Sequence, residues 1–406
     1  SMDRWGQLSG LGKKLYAAIE GVETPDDYTV TVRLSSPLGT LPISLAHTTQ
    51  NCVIYPKSVI DAGSLEPIEV CIGTGPYKLS ERKSDAYIRL ERFDEYAPLE
   101  GGPRGYGGTK YAYVGSIDFI PGAGIAARVA GLQAGTYLMH MPEGLENDLY
   151  QPLVDSPGLV TSVNQPSEWP LLYCNWQSPL MSKLAMREAV QACLDMQPIM
   201  EASFGDPEFW SLDPSLMMKQ TAWWTEAGGG RYNLADPELA KQKLQDAGYD
   251  GTPIRFMSTR EYAYRYAASA VAVQQMEAVG MTVDHQVIDW ATVLERRAKP
   301  EDWDMFISSP GFDPDPSQIS YIGGMGTYPG WWDDPETMAL TQQLLQLTSF
   351  EERFPIWEQI QTNAYTQIPA IKIGNGATIR SHSTRVHGLA TQFELGFIYW
   401  NVWIEG

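Results

Sequence analysis

The aspartates of residues 302–316, DWDMFISSPGFDPDP, are the acidic groups whose setting most invites chemistry. Asp313 and Asp315 fall in a Gly/Pro turn after an alternating run, in which Trp303, Met305 and Ile307 stand against Asp304 and Phe306. A carboxylate at a strand end can hold a cationic ligand through a charge-assisted hydrogen bond. The same residue types also make plain solvated turns. The tryptophan pairs Trp223–Trp224, Trp331–Trp332 and Trp400–Trp403 could stack on a sugar, a peptide or a flat ligand. Large aromatics also serve as ordinary core. Catalytic signatures are missing: the chain has no GxSxG elbow, no GxxxxGK[ST] loop, no HExxH and no GxGxxG. GTGPYKL, at 73–79, resembles a phosphate loop, but its proline removes an N–H donor and no helix follows. His382 and His387 flank Arg385 too irregularly for a metal pair on one helix face. No carboxylate pair is spaced so that an acid and a base can be assigned.

Elements able to position such residues alternate along the chain. Residues 26–34, DDYTVTVRL, alternate with period two and predict a half-buried strand. Residues 73–98 predict a turn and two strands, and the Gly-rich stretch 99–109 a loop. A strand at 114–122, a helix at 126–135 and a strand at 136–142 follow. Next come a strand ending in a Pro turn (169–180) and one amphipathic helix over 182–200, with Ser182 as its N-cap. Helices over 236–251, 263–280 and 290–299 then alternate with strands at 253–258, 281–289 and 303–309. That rhythm argues for an α/β fold with a parallel component. Helices at 333–347 and 350–366 precede closing strands in AIKIGN and FIYWNVWIE.

The 406 residues carry 29 basic and 49 acidic side chains, a net charge of −20. That balance opposes sequence-independent binding to nucleic acid or an anionic membrane, since like charges repel. A hydrophobic share of 43% places the chain among globular proteins and leaves a length of two to three domains. No apolar run is long enough to span a membrane. These residues hold no basic segment followed by an apolar one, so no export signal is expected within them, and the sequence opens inside a helical pattern. Cys52, Cys71, Cys174 and Cys193 form no CxxC pair, so structural zinc is not expected. Buried free thiols are one reading of them. A Cys52–Cys71 bridge in an oxidising compartment is the other.

Taken in order, DDYTVTVRLSSPLG, IGTGPYKL, ARVAGLQAG, MREAVQACLD, DPELAKQKLQDAGY, QQMEAVGMTV, WDMF and FEERFPIWEQIQT resemble the extracellular solute-binding proteins of ABC importers, in the oligopeptide/dipeptide/nickel-type family 5. The resemblance runs over essentially the whole chain from about residue 26. It implies a two-lobed α/β periplasmic-binding-protein-like fold of the large class II type, with a ligand cleft between lobes. It also implies residues 1–75 as the remainder of a small domain, 76–160 as part of the first lobe, 161–380 as the second lobe and 381–406 as a return to the first. Family members begin with further strands, so an N-terminal portion is expected to be missing. The implied function is capture of a small ligand, peptide first, with sugar, opine-like compound or metal complex as alternatives, and its delivery to a membrane permease. The resemblance implies a monomer without cofactor or metal, periplasmic or anchored at the cell surface; a hydrolase is the rival reading.

In peptide-binding members a second-lobe carboxylate after the WDMF-like strand meets the ligand ammonium. Counting forward from Asp304 gives Asp313; counting back from the following Asp-Pro gives Phe312. The resemblance also puts Trp290 and, seven residues on, Arg297 in the cleft, Arg297 suiting a ligand carboxylate through its fork. Tyr173, Asn175 and Trp176 end a strand where binding residues concentrate. Trp331, Trp332 and Trp400 complete the candidates, and Asp315 is expected to be a turn residue outside the site.

Overall fold

The structure, a computed structural model, describes residues 1–406 apart from 48–49, 63–64, 122–123, 141–144 and 393–395. Its chain packs as two compact units, each built from separated segments. Unit 1 is Ser1–Lys13, Cys52–Asn164 and Thr378–Gly406; unit 2 is Lys14–Asn51 and Gln165–Ala377.

Unit 2 is organised on five strands: β1 (Leu171–Cys174), β2 (Ile254–Ser258), β3 (Val283–Val287), β4 (Met305–Ser308) and β5 (Ala370–Lys372). They lie in the order β3-β2-β4-β1-β5. β2 runs parallel to both β3 and β4, while β1 is antiparallel to β4 and β5. The βαβ rhythm thus delivers the expected parallel part. The alternation read in 302–316 does not make a half-buried strand, however, because β1 and β4 are buried at every position. A central strand covered on both faces needs no polar face. Asp304 is buried as well, because Arg255 closes on it with Nε and Nη2 both 3.0 Å from its carboxylate.

Seven helices follow from local signals: α1 (Leu184–Cys193), α2 (Met196–Phe204), α3 (Pro237–Asp246), α4 (Ala263–Ala278), α5 (Trp290–Arg296), α6 (Pro335–Gln346) and α7 (Phe350–Gln367). Asp195, Asp236, Asp289, Asp334 and Ser349 each accept a backbone N–H of the first turn they precede. Each such cap contributes about 0.5–2 kcal/mol. The single helix expected over 182–200 is two. Leu194 is extended (ψ 121°) and Asp195 caps α2. A continuous helix would drive the Pro198 ring into the Leu194 carbonyl, whereas in the first turn of a new helix the missing N–H costs nothing. Lys183, not Ser182, occupies the N-cap of α1.

Residues 26–34 turn at Asp27–Tyr28 and form a hairpin, Ile19–Asp26 against Thr29–Leu34, that is largely exposed. Unit 1 holds an antiparallel sheet of Tyr77–Lys83, Tyr87–Arg92 and Ser116–Phe119, followed by the helix Ile125–Gln133. In the Gly-rich stretch a two-residue hairpin, Pro103–Arg104 with Gly107–Gly108, replaces the plain loop. The strand expected at 136–142 is an isolated bridge from Met139 to His382, and 141–142 lie outside the described residues. The last strand is interrupted by Asn401, whose φ of 65° is left-handed. All four cysteines are free, which corrects the expected Cys52–Cys71 bridge: Cys71 is exposed and Cys52 half-buried. Burial pushes the Cys174 and Cys193 thiols up to about 12, so neither is a thiolate at neutral pH.

Candidate ligand-binding site

β4 releases the chain at Ser308, and the segment that follows is fixed from behind. Asp315 accepts from the Ser317 backbone N–H (3.0 Å) and hydroxyl (2.6 Å), capping the short turn Pro316–Gln318. Its carboxylate also receives both ends of the Arg353 guanidinium, at 2.7 and 2.9 Å. With side chains 3% and 7% exposed, this is a buried bidentate pair. Asp315 is therefore a structural anchor, not the bystander expected from its place in a turn.

Two residues earlier, Asp313 is held but not sealed, its side chain 16% exposed. His47 faces it, with Nε2 3.4 Å from Oδ1. The Gln50 backbone N–H donates to His47 Nδ1 at 3.1 Å, which leaves Nε2 as the nitrogen that donates to Asp313. Gln318 Nε2 donates to Ser44 Oγ at 3.1 Å, tying the short helix Leu41–Leu45 to the same turn. Burial pushes the Asp313 carboxyl above the usual range, against the hydrogen bond and charge of His47 and the charge of Lys14. All these residues belong to unit 2.

Asp313 and Phe312 line a small solvent-open hollow in unit 2. Its wall also includes Trp169, Tyr321, Lys372 and Asn375. The site thus combines a carboxylate, an ammonium and aromatic surface, the mix expected where a small polar solute is oriented. Lys372, Trp169, Tyr321 and His47 were missed from sequence. Lys372 sits between Ile371 and Ile373, and a lysine between isoleucines usually marks a solvent face.

None of the other expected residues is among those lining this hollow. Tyr173 stacks on Phe306 in the core, centroids 4.7 Å apart. Asn175 spends its side chain on backbone: Nδ2 donates to the Pro300 and Trp303 carbonyls, and Oδ1 accepts from the Gln177 N–H. Trp176 lies under the Arg187 guanidinium at 3.9 Å and 6.5 Å from the buried Trp332. Trp331, with φ 49°, leans on Trp303. Arg297 approaches Phe306 and Tyr328 at about 6 Å, a marginal cation–π distance. Trp290 packs on Tyr262 and Arg265 and is not among the residues lining the hollow. Trp400 belongs to unit 1, with Lys110 over its ring at 4.6 Å and Tyr106 at 5.9 Å.

Residues 1–329 match the family model described as bacterial extracellular solute-binding proteins, family 5 Middle. The chain belongs to that family. One relative of this family 5 chain, a probable peptide ABC transporter periplasmic-binding protein of Sinorhizobium fredii, is 25% identical over 96% of this chain and 75% of its own length. The oligopeptide-binding protein AppA of Bacillus subtilis is 24% identical over 71% of this chain and 53% of its own. Among solved structures, a putative peptide-binding protein of Clostridium difficile superposes with a TM-score of 0.81 at 17% identity, covering 100% of this chain and 84% of that one. A binding protein of A. tumefaciens in complex with agropinic acid gives 0.80 at 19% identity, covering 100% and 82%. At these identities the superpositions establish the fold, the two-lobed α/β type of the family. The family is one of solute receptors, periplasmic or extracellular, and no described helix is long and apolar enough to cross a membrane.

Proposed function

We propose that this chain is the solute receptor of an ABC importer and takes a small ligand, peptide first, at the hollow beside Asp313. The observation that carries the reading is one solvent-open hollow lined by a carboxylate and a buried ammonium, in a chain of this family. Relatives named as peptide-binding proteins support peptide as the first class to try. The partner is the membrane permease that accepts the loaded receptor, and the receptor acts as a monomer, periplasmic or anchored at the cell surface. It binds its solute and does not transform it.

A bound solute should raise the unfolding free energy by about 2.7 kcal/mol at a hundredfold excess over Kd. A thermal-shift screen of peptides, sugars and metal complexes reads this directly, and a flat result across the library would sink the proposal. The compound that binds should be recovered unchanged after prolonged incubation.

Asp313 is proposed to meet a cationic part of the ligand. Asp313→Asn is then expected to weaken binding of a hit peptide by about 2 kcal/mol, the low end for truncating one side of a buried charge pair. The low end applies because His47 and Lys14 already offset part of the carboxylate's charge. Calorimetric titration checks it, and unchanged affinity would leave Asp313 a residue of the turn alone.

A further inference from the structure

Lys372 is the buried charge of the pocket that nothing described so far answers. It ends β5 with its side chain lining the hollow and only 4% of the residue exposed. An ammonium has three donors and no acceptor. One donor is taken by the Ser215 carbonyl. Among the described residues, no carboxylate oxygen is recorded within 4.0 Å of it. Asp213 is the acid whose charge reaches it, and that carboxylate is already occupied. Asp213 accepts from the Ser215 N–H at 2.9 Å, from Trp224 Nε1 at 3.1 and 3.2 Å and from Asn375 Nδ2 at 3.2 Å. Asp313, also on the wall, is engaged by His47 and drawn by Lys14. Burying an ammonium without a counter-ion is costly.

We propose that Lys372 is the anion-recognition residue of this hollow, and that the solute carries a carboxylate that docks against its ammonium. The inference rests on the receptor reading above and narrows its solute class. Trp169, Phe312 and Tyr321 give the uncharged body of such a solute an aromatic wall. The carboxylate is the chain end of a peptide or a group of a free organic acid. Burial pulls the Lys372 ammonium down to about 8, with Asp213 pulling the other way. A docked carboxylate restores the missing negative charge and holds the proton on. Affinity for an acid therefore falls as pH rises through about 8. The groups facing Lys372 in that titration are Asp213, whose charge reaches it, and Asp313 and Tyr321 on the same wall.

The test uses the full chain and two matched pairs: tri-alanine with its C-terminal amide, and succinate with succinamide. Binding is read by tryptophan fluorescence at pH 7 and pH 9. The acid of at least one pair should bind tenfold or more tightly than its amide at pH 7, and the gap should narrow at pH 9. The peptide pair and the organic-acid pair distinguish the two sources. Lys372→Met should erase the preference and Lys372→Arg should keep it. Without ligand, Lys372→Met should melt at a higher temperature than the unsubstituted protein at pH 7, which shows that the variant folds. Equal binding of acid and amide, or a preference that survives Lys372→Met, overturns the inference and leaves the receptor reading standing. No binding by any of the four compounds overturns it too, and the receptor reading is then judged by the wider library screen alone.

Discussion

Asp315→Ala is expected to lower the unfolding free energy by about 3–5 kcal/mol, the usual result of stripping one partner from a buried ion pair. Arg353 would keep its Nε hydrogen bond to the Leu344 carbonyl (2.9 Å) and its place over the Trp223 ring (4.8 Å). Its charge would have no counter-ion. The Pro316–Gln318 turn would also lose its cap, and Phe312 and Asp313 would lose the support behind them. Urea unfolding followed by tryptophan fluorescence measures the loss, and a change below about 1 kcal/mol would mean the pair is poorly formed. Asp315→Leu combined with Arg353→Met removes both charges together. That double variant should recover most of the loss, since a buried pair replaced by apolar side chains of similar size is often neutral.

The second large effect is expected at Trp303→Ala, at about 3–5 kcal/mol, typical for deleting a buried tryptophan. Trp303 is 0% exposed. Its ring meets Phe306 edge-on, with centroids 4.9 Å apart and planes at 83°. Nε1 donates to the Arg297 carbonyl at 3.2 Å, and the Trp303 carbonyl accepts from Asn175 Nδ2 at 2.7 Å. Trp303→Phe keeps a ring and forfeits the indole N–H, so its cost should be clearly smaller. If the two variants were equally stable in urea, the ring would contribute nothing to the core. Tyr173, Phe306 and Tyr321 pack in the same cluster, and Tyr321 lines the hollow. The alanine variant should therefore also bind its solute less tightly.

What the sequence disclosed was local, and what it concealed was long-range. Asp236-Pro237 announced a helix start because a cap and its N–H partner lie within three residues. The order of motifs over the whole chain pointed to the family, which no single motif could do. Asp315 looked like a turn residue because its partner Arg353 is 38 positions away. His47 meets Asp313 across 266 positions and leaves no local trace of it. Lys372 looked solvent-facing because a strand's period-two rule assumes one wet face, which β5 lacks at that position. The break between α1 and α2 was readable from Pro198, but apolar residues at helical spacing ran through it and masked the stop.

The segmental build of the two units has a bearing on how the protein is made. Unit 1 draws on the chain before residue 14, on Cys52–Asn164, and again on Thr378–Gly406. During synthesis all of Gln165–Ala377 must be made before that last segment exists, a delay on the order of 10–40 s at ordinary elongation rates. Unit 2 can assemble β1 to β4 in that interval, with β5 joining only at its end. Cys52–Asn164 must wait with apolar side chains in water, including Ile117 and Leu132 of a cavity later joined by Tyr399 and Val402. Until Thr378–Gly406 is made, Cys52–Asn164 is thus the part of the described chain most open to chaperones, proteases and aggregation.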